Sequence, residues 1–228
     1  MTLLVAHRGD QERAPENTLD AFHRAWAQGA AFVECDVQFT RDFEPVLLHD
    51  NRLRRLCGRP DLCAIRLDYE GLVRACKPHF ALLRLSGFAH WLAVNEGMTA
   101  FVEIKPTVLR QRSAEEVAAR VLQVVGSGAQ RKIVWISKSG EILDALARRT
   151  LAPLGWVASG KVPPKAPVRY VFLPWRMRKE AGRFQKQGVE VAVYTINESE
   201  RARALAAQGI DLIETDFYGR MRRETGLV

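Results

Sequence analysis

The sequence predicts an α/β fold, a single (β/α)8 barrel with a small insertion after its third strand. Three observations lead there: short apolar runs alternate with amphipathic helical patterns, polar residues close several of the apolar runs, and the chain is 228 residues long. Alternating strands and helices favour a parallel sheet. A closed eightfold barrel takes roughly 200 to 250 residues, so the loops are expected to be short. Residues 1–228 are read as one domain, because this length buries one sizeable core more readily than two.

The elements follow in order. Leu3 to Ala6 is a short strand. Thr18 caps a helix with Leu19, Phe22, Ala25 and Trp26 on one face, and Gly29 ends it. Phe32 to Val37 and Pro45 to His49 are strands. About 51–78 is irregular and basic, the inserted segment. A helix is expected near Phe80 to Asn95, a strand at Phe101 to Ile104, and an amphipathic helix from Glu115 to Val125. Beyond these come a strand at Ile133 to Ile136, a helix at Glu141 to Arg149, and strands at Leu154 to Ala158 and Tyr170 to Leu173. The chain closes with a helix at Lys179 to Gln187, a strand at Val189 to Thr195, a helix at Glu200 to Ala207 and a last strand at Leu212 to Glu214. These are nine strands, one too many for a closed eight, so either Leu154 to Ala158 or Tyr170 to Leu173 is expected outside the barrel.

The net charge is +8. A basic surplus concentrates anionic substrates. No nucleic-acid-binding motif or aromatic-basic stripe accompanies it, so no nucleic-acid partner is expected. The first residues are not those of a signal peptide, and no apolar run reaches the length of a membrane span. A cytoplasmic protein is expected. Cys35, Cys57, Cys63 and Cys76 have no C-x-x-C spacing and are expected as reduced thiols. The oligomeric state is left open.

The chemistry gathers at strand ends. His7 and Arg8, Glu34 and Asp36, His49 and Asp50, and Glu103 and Lys105 all follow or end apolar runs. In a (β/α)8 barrel such positions converge on one face. Glu34 and Asp36 are two apart on a strand and point the same way, while Cys35 points to the helix layer. Two inward carboxylates are costly to bury, and a divalent cation with Glu103 as third ligand removes that cost. All-oxygen ligation suits Mg²⁺, Ca²⁺ or Mn²⁺. The competing arrangement is a structural ion-pair network with Arg8 and Lys105. His7 and His49 flank the acids as a general base and a general acid. Arg8 and Lys105 suit phosphate oxygens, and Asn17 is expected to hydrogen-bond the site.

Ala6-His7-Arg8-Gly9, Pro15-Glu16-Asn17-Thr18, Glu34-Cys35-Asp36-Val37, His49-Asp50, Glu103-Ile104-Lys105, Tyr194-Thr195-Ile196-Asn197 and Glu214-Thr215-Asp216 form an ordered set. This set resembles the glycerophosphodiester phosphodiesterase family. The resemblance implies a (β/α)8 TIM barrel, metal ligation by Glu34, Asp36 and Glu103, acid–base roles for His7 and His49, and Arg8 and Lys105 at the phosphate. It implies hydrolysis of a small glycerophosphodiester to glycerol 3-phosphate and an alcohol. A relative acting on lysophospholipids and a non-catalytic binding protein on the same barrel are the rival readings. Three departures from the family pattern bear on substrate fit: Tyr194 stands where Trp is usual, at the glycerol-side wall; Arg54-Arg55-Leu56-Cys57-Gly58 replaces a Thr/Gly-rich stretch; and Ser137-Lys138 replaces Ser-Phe.

Overall fold

The computed structural model describes residues 1–158 and 163–228. Nine strands form one sheet: β1 (Leu3–His7), β2 (Phe32–Phe39), β3 (Pro45–Leu47), β4 (Thr99–Ile104), β5 (Ile133–Ser137), β6 (Leu154–Val157), β7 (Tyr170–Pro174), β8 (Glu190–Tyr194) and β9 (Leu212–Thr215). β1 pairs in parallel with both β9 and β2, which closes the barrel. Every neighbouring pair around the ring is parallel.

The surplus strand is not the one expected. Leu154–Val157 and Tyr170–Pro174 both belong to the barrel, paired with each other and with their neighbours. The strand outside the ring is β3, antiparallel to β2 through Val37 and Leu47. The physical reason is the connection. Only a short turn at 40–44 joins β2 to β3, enough for a hairpin and too short for a parallel crossover. Phe43 takes a positive φ of 64° in that turn.

Helices alternate with the barrel strands: α1 (Leu19–Ala27), α2 (Arg54–Cys57), α3 (Tyr69–Cys76), α4 (Leu85–Val94), α5 (Ala114–Gln130), α6 (Gly140–Ala147), α7 (Ala181–Gln185), α8 (Ser199–Ala207) and α9 (Tyr218–Thr225). The Thr18 side chain accepts the Ala21 N–H at the start of α1. The buried face of α1 is Ala21, Phe22 and Ala25, whereas Leu19 and Trp26, expected on that face, are exposed. α5 opens with a Ser113–Glu116 capping box and bends at Gly126, whose φ is 65°. The segment 51–78 is less irregular than expected. It holds α2, a 3-10 turn at Ala64–Arg66 and α3, which Asp68 caps by accepting the Gly71 N–H. Val46, Leu48, Leu53, Cys57, Leu72 and Cys76 bury a small core of their own beneath it. Cys57 and Cys76 are neighbouring thiols there, 3.8 Å apart.

Strand residues alternate between two cores, as a pleated barrel requires. Val5, Phe101, Ile136, Phe172, Ala192 and Leu212 face inward, and Leu4, Ala6, Cys35, Val102, Trp135 and Ile213 face the helices. Phe101 plugs the interior, its ring 5.5 Å from Phe32, 5.1 Å from Tyr170 and 5.0 Å from Phe172. Phe101→Ala is expected to cost roughly 3–5 kcal/mol, read as a lower urea midpoint at unchanged slope. The plug sets the floor on which the polar residues above it stand.

Candidate active site

Each functional side chain is delivered by a strand end. β1 ends at His7, and the chain then turns sharply through Arg8 (φ 56°) and Gly9 (φ 88°). A Cβ on Gly9 would lie 2.6 Å from Ala21, so this turn packs directly on α1. β2 presents Glu34 and Asp36 inward and β4 presents Glu103, all three buried. One carboxylate oxygen from each lies within 4.8 Å of the others. His49 follows β3, so it reaches the mouth from outside the barrel, and Gln38 holds its carbonyl at 2.9 Å.

His7, Arg8, Glu34, His49, Glu103, Lys105 and Tyr194 surround one cavity of about 160 Å³. Lys138, Thr195 and Glu214 also line it, and Ile136, Val157 and Phe172 give it an apolar floor. Asn17 is placed otherwise. Its amide nitrogen donates to Asp36 Oδ2 at 3.1 Å, and its amide oxygen accepts the Asp36 N–H at 3.1 Å. Both ends of the amide are engaged by Asp36, so Asn17 fixes a carboxylate instead of reaching into the cavity.

The two imidazoles are held alike. His7 Nδ1 lies 2.7 Å from Asp216 Oδ1 and His49 Nδ1 lies 2.6 Å from Asp50 Oδ1. Burial works against the charge on Asp216, but the hydrogen bond and charge of His7, with Asn197 and Arg8, together outweigh it and hold the carboxyl below the usual range. Asp50 is likewise held low by His49 and Arg55 against its partial burial. Ionised carboxylates only accept, so both Nδ1 atoms carry the proton and both Nε2 atoms are left for other work. His7 Nε2 lies 3.9 Å from Glu34 Oε2. Burial, then Lys105 and Arg8, lower the His49 pKa against the pull of Asp36.

Asp216 and the partners that fix it were not assigned a role from sequence. Gln11 and Asn197 donate to its carboxylate at 2.9 and 2.7 Å, and Asn197 Oδ1 accepts its N–H at 2.9 Å. Its position just after the last strand was the available signal. Asp216→Asn is expected to lower kcat on the order of 10²- to 10⁴-fold, because an amide presents a donor as readily as an acceptor to Nδ1 and frees the tautomer. KM should move little, and steady-state kinetics separate the two.

The ion pairs form one network. Lys105 Nζ lies 2.5 Å from Asp36 Oδ1 and 2.6 Å from Glu103 Oε2. Arg8 Nε is 2.8 Å from Asp36 Oδ2, off the line a hydrogen bond needs, and Arg8 Nη1 is 3.2 Å from Glu16. Arg55 bridges Glu16 and Asp50 at 2.6 to 2.7 Å, tying the inserted segment to both Arg8 and His49. Glu16 and Arg55 were also missed as site residues. The ion-pair arrangement weighed from sequence is therefore real, but it does not satisfy the acids. Glu103 Oε1 and Glu214 Oε1 are buried with no hydrogen-bond partner among the described residues. Burial, with Asp36 and Glu214 close by, pushes Glu34 well above the usual carboxylate range. Burial pushes Glu214 up to about 7, against the pull of His7 and with the push of Glu103. Asp36 is the exception: burial opposes its charge, yet Lys105 and Arg8 prevail and hold it far below the usual range. Three buried carboxylates converging with an unpaired oxygen are hard donors that fit a divalent cation.

The sequence profile of the Glycerophosphoryl diester phosphodiesterase family matches residues 7–220. This chain belongs to that family. A glycerophosphodiester phosphodiesterase of Caldanaerobacter subterraneus subsp. tengcongensis is 50% identical over 54 residues, 24% of this chain and 22% of that protein. The aligned stretches span about a fifth of the length of that Caldanaerobacter protein and of a rat glycerophosphodiester phosphodiesterase 1. Among solved structures, a putative glycerophosphoryl diester phosphodiesterase from Silicibacter pomeroyi superposes with a TM-score of 0.84 at 21% identity, over 99% of this chain and 94% of that one. An Oleispira antarctica phosphodiesterase in complex with the product sn-glycerol-3-phosphate also gives 0.84 at 21% identity, over 98% and 96%. At that identity the likeness establishes the fold, and the (β/α)8 barrel of the family is the fold of this chain.

Proposed function

We propose that this phosphodiesterase-family member hydrolyses glycerophosphodiesters to sn-glycerol 3-phosphate and an alcohol, with a divalent cation held by Glu34, Asp36 and Glu103. The observation that carries the reading is the pair of imidazoles, each with a carboxylate behind Nδ1, lining one small cavity with Glu34 and Glu103, while Asp36 lies buried beside these two acids. The Oleispira antarctica relative, named as a complex with sn-glycerol-3-phosphate, supports the same product here.

When bound, the cation, Mg²⁺, Ca²⁺ or Mn²⁺ by its all-oxygen ligands, draws charge from a phosphoryl oxygen. The chain's own groups do the rest. One Nε2 takes the proton from the attacking hydroxyl and the other gives a proton to the departing alcohol oxygen. Attack by water gives sn-glycerol 3-phosphate at once. Attack by the glycerol 2-hydroxyl gives a cyclic phosphate whose O2–P bond a water then opens, with the proton roles of the two imidazoles exchanged. Arg8 and Lys105, both facing the cavity, offset charge that grows on the phosphate. Burial, with Glu103 and Glu214 near, pushes the Tyr194 phenol up, so it stays neutral and forms a wall for glycerol. We place the protein in the cytoplasm. No helix among the described residues is long and apolar enough to cross a membrane, and the four cysteines are free thiols.

The test is direct. Purified protein with added Mg²⁺ or Mn²⁺ is incubated with glycerophosphocholine and glycerophosphoethanolamine, and sn-glycerol 3-phosphate is measured by a coupled dehydrogenase. Release of that product is expected. Release of phosphocholine in its place, or of nothing, would overturn the reading.

A further inference from the structure

The catalytic cavity does not end at His49. His49, Lys105 and Lys138 line it together with a second, open groove of about 850 Å³ that runs toward the inserted segment. Arg52, Arg54, Arg55 and Arg110 complete the basic lining of this groove, and Asp50 is its single carboxylate. Asp50 is already matched by His49 and Arg55. Arg54, Arg110 and Lys138 have no ion pair among the described residues. The groove therefore presents uncompensated positive charge directly beside the reacting atoms.

Two of the three departures from the family pattern meet here. Arg54-Arg55 comes from α2 and Lys138 follows β5, yet both line the one groove. Beneath the cavity Ile136, Val157 and Phe172 belong to the packed interior core of the barrel. Because His49, Lys105 and Lys138 line both spaces, the cationic groove is a continuous path for the alcohol of a glycerophosphodiester whose glycerol phosphate occupies the cavity.

We propose that the alcohol of the preferred substrate is itself anionic, carrying a phosphate or further phosphodiester that Arg54, Arg110 and Lys138 receive. This rests on the phosphodiesterase reading and specifies its substrate class. Guanidinium groups pair with phosphate oxygens in a bidentate manner, and a groove lined by one sign of charge raises the local concentration of the opposite sign. A cationic alcohol such as choline is repelled by the same charges.

The test compares three substrates at low ionic strength: glycerophosphocholine, with a cationic alcohol; glycerophosphoglycerol, with a neutral one; and bis(glycerophospho)glycerol, whose alcohol carries a second phosphodiester. The expected kcat/KM for the last exceeds that for glycerophosphocholine by about tenfold or more, a margin that added salt narrows. Paired charge reversal, Arg54→Glu with Arg110→Glu, should collapse the ratio. Both side chains are exposed, so circular dichroism should show the fold retained. Equal rates on all three substrates, a preference for choline, or a ratio unmoved by the reversal would overturn the inference. Absence of sn-glycerol 3-phosphate from every substrate would instead overturn the phosphodiesterase reading beneath it.

Discussion

His7→Ala and His49→Ala should each lower kcat by roughly 10²- to 10⁴-fold, the range that a positioned proton donor or acceptor supplies. Each ring is oriented by a carboxylate behind it, Asp216 at 2.7 Å and Asp50 at 2.6 Å, so each presents Nε2 in a fixed direction. Such doubled orientation is wasted on a residue that merely packs. His49 is half-buried and His7 lies at the cavity wall, so neither deletion opens a void in the apolar core, and thermal unfolding should remain cooperative. The double variant should be little worse than the worse single one, because the groups act as a unit. A single variant at full rate would remove that histidine from the reaction.

Chelation should abolish turnover, and Glu103→Gln should do nearly the same at ordinary metal concentrations. The acids are too deeply buried to be left alone. Glu103 is 7% exposed, Glu34 2% and Asp36 1%, and only Asp36 has its charge well matched by Lys105 and Arg8. Asp36→Ala should also destabilise the fold by about 3 kcal/mol, since it takes from buried Lys105 and half-buried Arg8 the carboxylate they share and leaves Asn17 without its partner. The pH dependence has a definite sign. Glu34 and Glu214 have folded-state pKa values raised above their ordinary ones, so the metal-free native state binds more protons than the unfolded chain. Its stability therefore falls as pH rises from the ordinary glutamate range, about 4.3, toward neutrality. His49, held low, contributes the opposite slope below about 6.5. Asp36, also held low, contributes stability that is lost only in stronger acid. Metal binding needs the carboxylates ionised. The rise in Tm on adding Mn²⁺ should thus be larger near roughly pH 8 than near roughly pH 5.5. An equal rise at both would mean that Glu34 takes no part.

Much of this was legible before any coordinates. The two-residue spacing of Glu34 and Asp36 put both on the inward face of one strand, and the alternation of Cys35 toward the helices followed from the same pleat. The wrong choice of surplus strand has a simple cause. Pro45 to His49 is apolar enough to pass for a barrel strand, and only the brevity of the preceding turn marks it as half of a hairpin. The helix at Tyr69–Cys76 was hidden because its buried face is just Leu72 and Cys76. What stayed illegible was pairing over distance. His7 and Asp216 are 209 residues apart, and Arg55 and Glu16 are 39 apart. No local periodicity encodes such a contact; it exists only once the barrel closes β9 onto β1. Asn17 shows the same limit, since a turn residue at φ 58° gives no hint that its amide clasps Asp36.

The most direct measurement is a crystal soaked in Mn²⁺ and examined for anomalous scattering. A peak bounded by carboxylate oxygens of Glu34, Asp36 and Glu103, lost in a Glu103→Gln crystal, is the expected result. A peak elsewhere on the surface, or none at a concentration that restores activity, would contradict the assignment of these acids.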